Sequence, residues 1–82
     1  MSYAQKIARA NVGRYRVRDA EDAMNRIRLN MYSVHYKTLA EEVGVSSSCI
    51  MAIRSGRTKW PRPATFFGLL EALGLHIEIV AD

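Results

Sequence analysis

One cysteine, Cys49, excludes a disulfide framework within the chain and fits a reducing compartment. No stretch approaches the ~18 consecutive apolar residues of a membrane-spanning helix. The first residues also lack the apolar centre of a signal peptide, so a cytoplasmic protein is expected. Internal repeats and low-complexity segments are absent. Histidine is scarce: His35 and His76 lie in distant segments, and no pair of carboxylates and no metal-ligand spacing stands out. The sequence therefore reads as a non-enzyme with no cofactor or metal, and no small-molecule effector site is expected in a core filled by short helices.

An 82-residue chain is a single domain near the lower limit at which one hydrophobic core holds a fold unaided, so association with a second copy would help it. Its 12 Lys and Arg outnumber 8 Asp and Glu, a modest excess of +4 whose distribution says more than its size. Lys6, Arg9, Arg14, Arg16 and Arg18 form an acid-free N-terminal arm, and Arg54, Arg57, Lys59 and Arg62 form a second acid-free stretch. Either can contact phosphates or be a solvated face.

Residues 36–55 carry a constrained spacing. Leu39 and Val43 make an i,i+4 apolar stripe, and Ile50 and Ile53 an i,i+3 stripe, which must meet across a tight corner. Ala40 faces that corner, where a larger side chain would hold two helices apart. Gly44 follows the last turn of the first helix, where a left-handed conformation is needed, and Val45 fills the elbow. Ser46 is suited to cap the second helix, with Ser47 and Ser48 in its first turn. His35 or Ser33 would cap the first, with Val34 packed as a staple on Leu39.

This segment resembles the helix-turn-helix of the Cro/cI (Xre-like) family of phage and bacterial repressors, with Ala40, Gly44, Ile50 and Ile53 where that family places small, glycine and branched apolar residues. The resemblance implies a lambda-repressor-like fold and a DNA-binding function. It also carries base contact to the early outward positions of the second motif helix, Ser47, Ser48 and Met51. A hydroxyl tolerates several bases, and a methionine can pack on a thymine methyl. The helix has no Gln, Asn or Arg early on for a bidentate base contact, so discrimination is expected to lean on Arg54, Arg57, the arm or DNA shape. Lys37, Thr38, Ser46, Arg57, Lys59 and Arg62 read as phosphate contacts that fix register. Trp60 is expected to pack against the domain and fix the basic loop rather than stack on a nucleotide.

The flanks complete a mainly α domain of four to five helices. Met1 to Asn11 reads as a short helix, with Ser2 and Gln5 at capping-box spacing and Tyr3, Ile7 and Ala10 on one face, or as a disordered arm. Residues 14–18 alternate basic and apolar like a short edge strand. Asp19 should cap a helix with Glu21 and Asp22 in its first turn and an apolar face of Ala20, Ala23, Met24, Ile27 and Met31. Pro63 should open a last helix that buries Phe66, Phe67, Leu69, Leu70 and Leu73 and ends at Gly74. His76-Ile77-Glu78-Ile79-Val80 alternates like a C-terminal strand.

That ending resembles Xre-like proteins related to HipB- and HigA-type antitoxins, in some of which terminal strands pair across a dimer axis. The strand is thus expected to join two subunits through Ile77 and Ile79, or to pair with residues 14–18 of its own chain. The expected organisation is an arm over residues 1–18, the helix-turn-helix domain over 19–74 and a strand and tail over 75–82. The leading functional expectation is a small dimeric repressor on an inverted-repeat operator in double-stranded DNA. An antitoxin with a toxin partner, and a helix-turn-helix scaffold used for protein interaction, as in a host-enzyme inhibitor, stand beside it.

Overall fold

The computed structural model describes residues 14–81. Among them are four helices and no strand: α1 (Ala20–Met31), α2 (Tyr36–Val43), α3 (Ser47–Arg54) and α4 (Pro63–Ala72). No helix among these residues is long and apolar enough to cross a membrane. The expectations for Met1 to Asn11, with Lys6 and Arg9, fall outside the described residues.

Three of the four helices begin where a side chain supplies a partner for the first amides. The Asp19 carboxylate accepts the Asp22 N–H at 2.8 Å, and Ser46 Oγ accepts the Cys49 N–H at 3.1 Å. At α2 the cap is His35, whose Nδ1 accepts the Lys37 N–H at 3.2 Å. Ser33, the other candidate, instead donates its hydroxyl to the Asn30 carbonyl at the end of α1. No side chain caps α4, where Pro63 at the start needs no partner for an N–H it lacks. At the motif corner Gly44 takes φ +83°, and Ala40 O accepts from both Gly44 N–H (2.8 Å) and Val45 N–H (3.0 Å). A Cβ at Gly44 would touch nothing, so glycine is required there for its backbone conformation and not for space.

The core is shared by all four helices: Met24, Ile27 and Met31 from α1, Leu39 and Ala40 from α2, Ile50 and Ile53 from α3, and Phe66, Leu69 and Leu70 from α4. Ala20 lies outside the face expected to bury it, and Phe67 is 55% exposed, because apolar residues at 66, 67, 69, 70 and 73 span more of a helix than one interface covers. Gly68 serves close approach: a Cβ there would stand 3.1 Å from Val43 Cγ1, so α4 lies nearly in contact with α2. Asn30 is the one polar residue buried in this region, and its Nδ2 donates to Arg26 O at 2.8 Å.

Neither expected strand forms among the described residues. The arm over residues 14–18 is tied to α1 side chain by side chain. Asp22 accepts the Arg18 N–H at 2.9 Å and the Tyr15 hydroxyl at 3.2 Å, and the Arg26 guanidinium covers the Tyr15 ring at 3.6 Å. These contacts, led by the Arg18 N–H, hold the Asp22 carboxyl below its ordinary 3.8 against a smaller opposing effect of burial. Basic-apolar alternation is the pattern of an extended arm as much as of a strand, and here polar anchors replace a ladder. Beyond Gly74 the Leu75 N–H reaches back to Leu70 O at 2.8 Å, and Leu75 packs on the core. Ile77, Ile79 and Val80 then run out exposed. Among the described residues arm and tail meet by a side-chain ion pair, Arg14 Nε lying 3.6 Å from Glu78 Oε2, and a two-stranded ribbon with so little packing beneath it is marginal in water.

Candidate functional site

The corner between α2 and α3 orients one face of α3 away from the core. Ile50 and Ile53 are fully buried, which turns Ser47, Met51 and Arg54 (i, i+4, i+7) into one outward stripe, with Ser48 and Ser55 beside it. Met51 is 45% exposed, Ser48 is exposed, and Ser47 and Arg54 are half-buried. Ser46 Oγ is engaged by the Cys49 amide and lies 3.2 Å from Ser48 Oγ, so these hydroxyls define the helix start as well as its surface. Lys37 and Thr38 project from the first turn of α2, both exposed.

The loop from α3 to α4 brings Arg57, Lys59 and Arg62 to the surface beside this helix, all exposed. From residue 43 to residue 70 the sequence contains no acid at all. Among the described residues no ion pair involves Lys37, Arg54, Arg57, Lys59 or Arg62, whereas Arg14 and Arg18 of the arm face Glu78 and Asp22. The cations on and after α3 thus carry no ion-paired acid among the described residues, and the arm is partly neutralised.

What fixes the loop is a residue the pattern reading passed over. Arg28 Nε donates to Ile53 O at 2.8 Å, and its Nη2 donates to Thr58 O at 3.0 Å and Lys59 O at 3.3 Å; Nη1 donates to Asn25 Oδ1 at 3.1 Å. One guanidinium from α1 therefore satisfies a carbonyl in the last turn of α3 and two in the basic loop. A signal was present, since Arg28 stands between Met24 and Met31 at i+4 and i−3 on the apolar stripe, where a charged residue needs a partner inside the fold. The loop is further held by the Thr58 N–H on Ala52 O at 2.9 Å and by Pro61, which is buried. Trp60 stacks on Phe66 of α4 with centroids 5.2 Å apart while remaining 51% exposed.

A second group missed by pattern lies where α1, α2 and α3 meet. The Arg54 guanidinium carbon is 5.6 Å from the Tyr32 ring centroid and 5.9 Å from that of Tyr36, and His35 stacks on Tyr36 at 4.8 Å. Tyrosines in a helix end and a helix start read as boundary residues in the sequence, and only the turn of residues 32–35 brings them together over Arg54. Phe67, Ile77, Ile79 and Val80 present apolar surface, with Ile79 fully exposed. Among the described residues no group of His, Cys, Asp and Glu is arranged to hold a metal ion.

Compared with protein-family models, curated proteins and solved structures, the chain matches none. The site is therefore read from its own geometry.

Proposed function

We propose that the protein is a sequence-specific binder of double-stranded DNA, acting as a small dimeric repressor that occludes a promoter. The observation that carries this reading is the α2–corner–α3 unit itself, with Ser47, Ser48, Met51 and Arg54 turned outward and Lys37, Arg57, Lys59 and Arg62 around them without acidic partners. In this reading α3 enters the major groove, and its hydroxyls and the Met51 thioether meet base edges. The α2 start and the loop cations hold phosphates and set the register, with Thr38 and Ser46 adding short polar contacts. The resemblance of residues 36–55 to Cro/cI-type motifs supports the same assignment.

Two copies bring two such helices to one face of the duplex, on an inverted repeat with half-sites about 34 Å apart. Ile77 and Ile79, with Phe67 beside them, are the surface assigned to that pairing. The same exposed apolar tail is what an antitoxin would offer a toxin, and co-purification of a stoichiometric partner from the native source would favour that second reading. The deciding experiment is duplex binding at several salt concentrations. Each neutralised phosphate releases counterions, so affinity should fall steeply as salt rises, and Arg57→Glu, Lys59→Glu or Arg62→Glu should weaken binding to all sequences alike. Affinity that is flat in salt would remove the DNA-binding reading.

A further inference from the structure

We propose that Tyr32 and Tyr36 hold Arg54 as a guanine-reading side chain at the edge of the α3 surface. This inference rests on the duplex-DNA reading above and assigns it a base and a residue. Rings within 6 Å attract a guanidinium through its faces, and both tyrosines lie within that range of Arg54. At 5.6 and 5.9 Å the rings neighbour the guanidinium without stacking on it, so they attract its charge and take none of its N–H groups as hydrogen-bond donors to oxygen. Among the described residues none of those N–H groups donates a hydrogen bond or meets a carboxylate. A planar donor fork thus stands beside two rings, charged and unoccupied.

Its position suits base contact. Arg54 shares the outward stripe with Ser47 and Met51, and side chains on a helix lean toward its N-terminus, which carries the guanidinium back along α3 instead of past its end. Tyr36 is the first residue of α2, and Lys37 is exposed next to it. The early turns of α3 offer only Ser47, Ser48 and Met51, none of which can make a bidentate contact. Arg54 can, and the acceptor pair that fits its fork is O6 and N7 of guanine. Arg57 has neither a ring over it nor a place on α3, and it remains a phosphate residue. His35 stacks on the Tyr36 ring and caps α2 through Nδ1, which fixes Tyr36 and, through it, Arg54.

Sequences selected by the wild-type protein from random duplex DNA should contain an invariant guanine in each half-site, and methylation of its N7 should interfere with binding. Arg54→Lys retains the positive charge but not the fork. It should keep the salt dependence and the melting temperature while the preference for that guanine drops on the order of 10- to 100-fold. Replacing Tyr32 and Tyr36 together by Leu should cut the preference in part, and replacing both by Phe should preserve it, since phenylalanine keeps the ring. Wild-type binding without guanine interference, or an Arg54→Lys protein that selects the same guanine, overturns the proposal and leaves DNA binding standing. Absence of any salt-dependent duplex binding by the wild type overturns both.

Discussion

Replacing Arg28 by methionine removes three hydrogen bonds to main-chain carbonyls while keeping most of the aliphatic stem. A hydrogen bond involving a charged group contributes about 1.5–3 kcal/mol, which would give well over 4 kcal/mol if the three simply added. Several features reduce that sum. Arg28 is half-buried, so water replaces part of what is lost, and Ile53 O keeps the Gly56 N–H at 3.1 Å. The Lys59 carbonyl lies in an exposed bond at 3.3 Å and can be solvated. A net loss of about 2 kcal/mol remains, corresponding to a fall of about 8–16 °C in melting temperature for a domain of this size. Arg28→Lys, able to reach one carbonyl at a time, should lose roughly half as much. Thermal unfolding by circular dichroism measures the total, and limited trypsinolysis after Arg57 and Lys59 reports the loop directly, with faster cleavage expected in Arg28→Met. If Arg28→Met melted within about 2 °C of the wild type and its loop were cut no faster, the clamp would have no energetic weight and the order of the basic loop would need another cause.

Gly44→Val should destabilise the domain by about 2–3 kcal/mol through left-handed strain alone, because the site has room for the side chain; Gly44→Asn should cost markedly less, and equal losses in chemical denaturation would refute the conformational argument. Asp22 has a folded-state pKa below its ordinary value, so the stability it contributes is present above about pH 4 and is lost as pH falls through the lowered folded value. Acid should therefore undock the arm, seen as faster proteolysis around residues 14–18, while Asp22→Asn should show a looser arm at neutral pH and no such acid step. Replacing Ile77 and Ile79 together by Lys should yield a monomer in sedimentation that retains its helices by circular dichroism, since both side chains are exposed in the single chain; an unchanged oligomer would move the dimer contact elsewhere.

The motif was legible because its constraints are local. Ala40, Gly44, Ile50 and Ile53 sit within a few turns of one another, and their spacing has meaning before any other part of the chain is placed. Asp19, Ser46 and Pro63 likewise announce helix starts through bonds made, or not needed, within three residues. The two strands are not legible in the same way, for the opposite reason. Alternation says which side chains share a face and nothing about whether a neighbouring backbone exists to complete a ladder, and among the described residues neither arm nor tail has one. Around α3 the outward Ser47, Ser48 and Met51 follow from periodicity once Ile50 and Ile53 point inward. The Arg28 clamp and the Tyr32–Tyr36–Arg54 cluster do not, because each depends on how separate helices cross.

The Arg28 bonds span 25 to 31 residues, whereas the caps at Asp19, His35 and Ser46 span two or three. Ordering a longer loop costs more chain entropy before any contact rewards it, so the caps and the α2–α3 corner can form while the basic loop is still open. If closure of the clamp follows the folding barrier, Arg28→Met should speed unfolding and leave the folding rate almost unchanged in stopped-flow measurements. Contacts of that kind leave the folding rate almost untouched and set how quickly the native state is left. In time rather than in energy, Arg28 would then act as a latch, and exchange of the Thr58 amide, which bonds Ala52 O, should quicken in Arg28→Met.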